Sequence, residues 1–283
     1  DLAWREKLAR AAEWSRHPQT ALEQWLYLAQ RTSAEEAWQG VLRLAPGLSD
    51  DVALFAATRR YAERRDARPE DLVNLAALYE RLGQPREGLA WFERNYRATR
   101  RIVSLELAAG LADRAGLRDK AVELHLEHLA AAGPNVDRLV RTATLMVLAG
   151  RFREAHDLLR AHRSAVKPDA PEYWDLLGDL AWRLQDDATA TEAYRVLGAR
   201  SEAVAGDLNR LIVLLRDRHP AEAAKFAELG YRRLRTAGLL ITALEILWER
   251  KDLPALKRLY AQLAPDDEAA FAVEQGVRGG PLL

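Results

Sequence analysis

His125 and His128 lie three residues apart, a spacing that puts two imidazole nitrogens on one helical face where a metal could bridge them. His156 and His162 lie in the matching stretch further along. Neither pair is accompanied by acidic ligands at a diagnostic spacing, and the chain has no cysteine, so thiolate sites and disulfides are excluded. Packing is therefore the expected role of these histidines, and no metal or cofactor is expected. Ser33, Ser104, Ser164 and Ser201 lack the G-x-S-x-G setting of a nucleophile elbow. No G-x-G-x-x-G or other glycine-rich phosphate loop occurs. Carboxylates are abundant, but none stands in an apolar run that would tune it for acid–base work. The residues thus point away from an enzyme.

Net charge points away from nucleic acid. The 283 residues carry 42 basic and 42 acidic side chains, where nucleic-acid binding calls for a basic surplus. No apolar run approaches a membrane span. The longest, Ala237 to Trp248, is interrupted by Glu245 and reads as a buried helix. The chain begins at Asp1 and its one methionine is Met146, which leads us to expect an excised fragment.

The elements that carry these side chains follow from one stretch, Pro69 to Arg100. Apolar or small residues at Leu72, Leu75, Ala76, Tyr79 and Leu82 fall on one helical stripe, predicting a helix from Leu72 to Leu82. Gly83-Gln84-Pro85 then supplies a helix stop and a helix start. The second helix carries Gly88, Leu89, Trp91, Phe92 and Tyr96. A hairpin this short exposes both stripes unless neighbours cover them.

Neighbours of the same kind are present. The slot of Gly88 recurs at Ala21, Leu54, Ala121, Ala155, Ala190, Ala223 and Leu256, at intervals of 33 to 35 residues. Four residues after each slot stand Trp25, Thr58, Phe92, His125, Leu159, Tyr194, Ala227 and Tyr260. Units fall near 2–34, 35–68, 69–101, 102–135, 136–170, 171–203, 204–236 and 237–264, with 265–283 expected to form a partial capping helix and tail. The second and seventh units fit least well, because Leu54, Thr58 and Ala227 replace the usual small and aromatic residues.

A period near 34 with a helix-turn-helix unit resembles the tetratricopeptide repeat. The sharpest match is Trp174-x-x-Leu177-Gly178-x-x-Ala181, followed by Ala190-x-x-x-Tyr194. The resemblance implies an all-α, right-handed α-solenoid of about eight repeats, read as a single domain over 1–283, that serves as a non-enzymatic interaction scaffold. It also implies that the first helix of each pair lines an inner face. Residues left free there form a ribbon: Glu70, Glu80, Arg81, Glu106, Asp113, Glu172, Asp175 and Asp179, with Trp182 and Trp248 as aromatic anchors. Such a ribbon suits a cationic partner. Some members clamp a C-terminal carboxylate with Lys, Asn and Arg, but here those places are acidic or apolar. A generic adaptor, a chaperone-like peptide-binding module and an RNA-binding array are the alternatives, the last disfavoured by charge.

The Trp174 unit and the arginine-rich units before it also resemble the periplasmic repeat region of Pel-type exopolysaccharide export proteins. That resemblance implies a periplasmic location within an outer-membrane protein. It further implies a PelA-like deacetylase/hydrolase as partner and a partly deacetylated, cationic amino-sugar polymer as cargo.

Overall fold

The computed structural model describes residues 1–261, which contain sixteen α-helices, two single 3-10 turns and no strand. The helices are paired, and the chain divides at Gly133/Pro134 into two compact units. The predicted segment 265–283 lies outside the described residues.

The first unit holds α1 (Leu2–Trp14), α2 (Pro18–Thr32), α3 (Glu35–Leu44), α4 (Asp51–Ala62), α5 (Pro69–Arg81), α6 (Pro85–Thr99), α7 (Ile102–Arg114) and α8 (Arg118–Ala132). A 3-10 turn, Pro46–Leu48, lies between α3 and α4. Helix α5 starts at Pro69, not at the predicted Leu72. Proline fits the first helical position, where no backbone N–H is needed, and the Asp71 carboxylate accepts the Arg68 N–H at 3.0 Å. The apolar periodicity begins one turn later than the helix, so periodicity alone places the start too late. Gly83 ends the pair's first helix with φ +69°, a conformation that costs glycine little.

The core of this unit is aromatic. Leu72, Leu75 and Phe92 are fully buried, and burying each contributes about 1.5–3 kcal/mol. Tyr79 meets Phe55 edge-on at 4.9 Å and Phe92 at 6.4 Å, and Trp91 meets Phe92 at 4.7 Å. Gly88 is where α6 crosses its partner: a Cβ there would sit 2.8 Å from the Tyr79 ring and 3.0 Å from Leu111.

The second unit begins with α9 (Val136–Leu148) and α10 (Phe152–His162), and a 3-10 turn at Arg163–Ala165 leads into α11 (Pro171–Arg183). It continues with α12 (Asp187–Ala199), α13 (Ala205–Arg216), α14 (Pro220–Leu234), α15 (Ala237–Glu249) and α16 (Leu253–Ala261). Its best-packed pair is α11 with α12. Trp174 donates its indole N–H to the Lys167 carbonyl at 2.9 Å, and the buried Tyr173 hydroxyl donates to the Leu159 carbonyl of α10. Burial pushes the Tyr173 phenol up to about 12. Gly178 lies under the Tyr194 ring, 3.1 Å from where a Cβ would stand.

Candidate functional site

Three of the four histidines singled out by spacing are core residues, and the fourth, His162, is partly buried. His125, His128 and His156 are buried, and His162 holds the Leu158 carbonyl one turn back at 2.9 Å. Among the described residues, no group of His, Asp or Glu side chains is arranged to hold a metal. His156 lies between Asp157 and Asp186, 3.3 Å from each carboxylate. Asp186 in turn caps α12, accepting the Thr189 N–H at 3.2 Å and its hydroxyl at 2.7 Å. Burial would raise the Asp186 carboxyl. Its bonds to Thr189, with the nearby His156 and Arg160, outweigh burial and hold it below the usual carboxylate range.

The ten ribbon residues all lie on first helices of pairs: Glu70, Glu80 and Arg81 on α5, Glu106 and Asp113 on α7, Glu172, Asp175, Asp179 and Trp182 on α11, and Trp248 on α15. All ten are exposed. They fall into one group in each unit, and each group is described by itself.

In the first unit, the ribbon is an ion-pair ladder more than an acidic strip. Arg81 reaches back to Asp51 at 2.8 Å, and Arg114 reaches back to Glu80 at 3.5 Å. Glu70 lies 3.7 Å from Arg68. Glu106 and Asp113 are exposed on α7 and make no ion pair among the described residues. Arg10–Glu36 and Arg43–Glu13, each 2.7 Å, tie α1 to α3 in the same manner. Surface pairs of this kind contribute about 0–1 kcal/mol each. Of the four carboxylates that sequence reading assigned to a partner in this unit, Glu70 and Glu80 are engaged in this way.

In the second unit the balance differs. Asp179 is bound by Arg210 of α13, which also donates to the Tyr194 hydroxyl at 2.8 Å. Tyr194 donates to Asp179 at 3.1 Å, closing a three-residue ring across α11, α12 and α13. Asp175 and Asp207 lie beside this ring, with one guanidinium among three carboxylates. Burial pushes the Asp175 carboxyl up and Asp179 adds to the rise, while Arg210 opposes it. Burial likewise raises Asp207, with Asp175 and Asp179 adding repulsion against Arg210. Two carboxylates with unfavourable charge, exposed Asp175 and partly buried Asp207, are thus held at one place. Sequence reading missed Asp207 and gave no carboxylate a perturbed environment. Both follow from α13 packing beside α11, which no single-helix pattern reveals.

An apolar component borders the acidic one. Trp182, Val213 and Trp248 are 38%, 63% and 44% exposed on α11, α13 and α15, successive first helices of this unit. Trp182 is held edge-on against Tyr194 at 6.5 Å. It also borders a cleft of about 540 Å³ lined by Thr191, Arg195, Val213 and His219 among others. Arg216, between the two tryptophans in register, is engaged by Glu249 at 2.5 Å and Glu245 at 3.7 Å. Glu172 lies exposed in the first turn of α11. The arrangement offers aromatic surface, hydrogen-bond acceptors and three carboxylates around one arginine.

Among the described residues, no helix is long and apolar enough to cross a membrane. The family model described as "Tetratricopeptide repeat" matches residues 128–275, more than half of the chain. No curated protein matches it. Among solved structures, the chain is similar to YrrB, described as a TPR protein with an unusual peptide-binding site, at 14% identity over 67% of this chain and 94% of that one, with a TM-score of 0.45. A tetratricopeptide repeat protein from Parabacteroides merdae ATCC 43184 is 14% identical over 82% of this chain and 95% of its own, with a TM-score of 0.43. PilW, described as a widely conserved type IV pilus biogenesis factor, is 18% identical over 76% of this chain and 98% of its own, with a TM-score of 0.40.

Proposed function

The chain belongs to the tetratricopeptide repeat family, and on that premise we propose that it is a non-enzymatic scaffold whose second unit binds a cationic partner along its first helices. The observation that carries the reading is the pairing of the Asp175, Asp179 and Asp207 carboxylates with exposed Trp182, Val213 and Trp248. A cation lowers the cost of keeping Asp175 and Asp207 ionised, so binding energy is stored in the free protein as repulsion. The tryptophans add apolar contact, including to the C–H faces of sugars, and fix position where charge alone would not.

The partner is best read through the Pel-type resemblance. In that reading the chain is part of a PelB-like outer-membrane protein and works in the periplasm. It binds a PelA-like deacetylase/hydrolase and guides a partly deacetylated, cationic amino-sugar polymer toward export. The net acidity of the second unit's ribbon supports such a cargo, since its protonated amines match three carboxylates around one arginine. Binding of a purified PelA-like protein to the chain tests the scaffold role. Wild type should bind, and a variant carrying Asp175→Asn, Asp207→Asn and Trp182→Ala should bind at least tenfold more weakly. Equal binding by both would remove this face from the account.

A further inference from the structure

Two positions set the second pair, α3 and α4, apart from its neighbours. Four residues after the small-residue slot, Trp25, Phe92, His125, Leu159 and Tyr194 are each buried in their own pairs. Rings at this place fill the space against a first helix: Trp25 lies against Gly40 of α3, and Tyr194 against Gly178 of α11. The seventh pair has Ala227 there, but Tyr231, eight residues after its slot, is buried. The second pair has Thr58 and Ala62 at these two places, so neither carries a ring.

The space so left is a cleft. It has a volume of about 460 Å³ and lies between α3, α4 and α5, with Thr58 in its lining. That is a volume typical of ligand pockets. Thr58 is only 6% exposed, and its hydroxyl makes no hydrogen bond among the described residues. The buried Thr142 of α9 instead returns its hydroxyl to the Arg138 carbonyl at 2.7 Å. A hydroxyl this buried is costly to leave unpaired, and a ligand group that pairs with it recovers the cost. Leu42 and Tyr61 form walls of the cleft. The Tyr61 hydroxyl already donates to Glu35 at 2.8 Å, and Arg64 lies over the Tyr61 ring at 4.3 Å, so Tyr61 has no group left to offer. Gln39 and Asn74, both exposed, stand at the mouth.

We propose that this cleft receives the side chain of a tyrosine from a partner protein. The ring takes the place that Phe92 and Tyr194 take in their own pairs. Its hydroxyl pairs with that of Thr58, which a phenylalanine would leave buried and unpaired. The Gln39 and Asn74 amides can both donate and accept, as the peptide groups flanking a tyrosine require and a free phenol does not. Tyrosine is also among the side chains that concentrate binding energy at protein interfaces. The cleft lies within the first unit and stands without the acidic ribbon of the second.

The test is methyl NMR of the whole chain titrated with the peptide acetyl-Gly-Tyr-Gly-amide, with acetyl-Gly-Phe-Gly-amide and p-cresol as comparisons. The Leu42 and Thr58 methyl resonances, assigned by single substitutions, should shift saturably with the tyrosine peptide. The phenylalanine peptide should bind about fivefold more weakly, the worth of one hydrogen bond, and p-cresol should also bind more weakly. Thr58→Val keeps the shape of the cleft and removes the hydroxyl, so this variant should bind the two peptides alike. Thr58→Tyr supplies the ring from within the chain. It should abolish the Leu42 shift and melt higher than wild type, as a filled cavity does. The proposal is overturned if the tyrosine peptide moves neither resonance, if wild type does not prefer it to the phenylalanine peptide, or if Thr58→Val keeps that preference. A Thr58→Tyr chain that melts lower than wild type, or that still binds the peptide, overturns the ring-sized space itself. Binding of p-cresol as tight as that of the peptide also overturns the proposal, since a small phenol would then be the occupant.

Discussion

Replacing Gly88 with alanine tests the claim that helix pairs are set by close approach. The mutation alters two opposing quantities. In a helix interior, alanine is favoured over glycine by about 0.5–1 kcal/mol. Against that, the new Cβ would lie 2.8 and 2.9 Å from Tyr79 and 3.0 Å from Leu111. Tyr79 is buried and fixed between Phe55 and Phe92, so it cannot swing clear without disturbing both rings. Overpacking of this kind costs about 1–3 kcal/mol. The net expectation is destabilisation by about 1–2 kcal/mol, read as a fall in Tm of about 2–4 °C per kcal/mol. Gly110→Ala in α7 is the control, because nothing lies within 4 Å of its Cβ. It should gain the helix-propensity term and melt higher. Thermal melts of both variants beside wild type settle the matter. If Gly88→Ala melts at or above wild type, the crossing of α6 with α5 is not where the structure places it.

Other perturbations follow from the same geometry. Gly178→Leu should unfold or strongly destabilise the second unit, because even a Cβ comes within 3.1 Å of Tyr194; near-wild-type melting would contradict the packing of α11 on α12. Asp186→Ala should cost about 0.5–2 kcal/mol through loss of the α12 cap. Because the Asp186 carboxyl is held low in the folded chain, its contribution is present above the ordinary aspartate range and lost as pH falls through the folded value. The difference from wild type should therefore shrink in acid, as melts across a pH series would show. Asp207→Asn should do the reverse. Its carboxyl is raised in the folded state, so ionisation weakens the fold as pH rises from the ordinary aspartate range through the folded value. The variant should melt higher than wild type at neutral pH and lose that advantage in acid. A double-mutant cycle between Arg210 and Asp179 should give a coupling of about 0.2–1 kcal/mol, since both are substantially exposed.

Helix pairing was readable from the chain because small residues, turns and aromatics recur at one interval. Turns with glycine were marked directly, as at Gly83 with φ +69°. Arg16, Gln185 and Lys251 adopt the same left-handed geometry at φ 58–60° without glycine, so those turns were found only by counting from their neighbours. Candidate site residues were placed on the right helices by the same counting. Their electrostatics were not. Whether Glu80 is available to a ligand depends on Arg114, 34 positions away, and Asp179 depends on Arg210, 31 away. Such pairs depend on how successive helices are turned toward each other. Asp207 escaped notice for the same reason, its environment being made by α11.

The most direct test of the proposed function is calorimetric titration of the chain with a partly deacetylated amino-sugar oligosaccharide at low and physiological salt. Wild type should bind saturably and more weakly at higher salt, as exposed charge pairing requires. The Asp175→Asn, Asp207→Asn, Trp182→Ala variant should lose at least tenfold in affinity at low salt while keeping its fold. Undiminished binding by that variant, or binding indifferent to salt, would contradict the assignment of a cationic partner to the second unit's first helices.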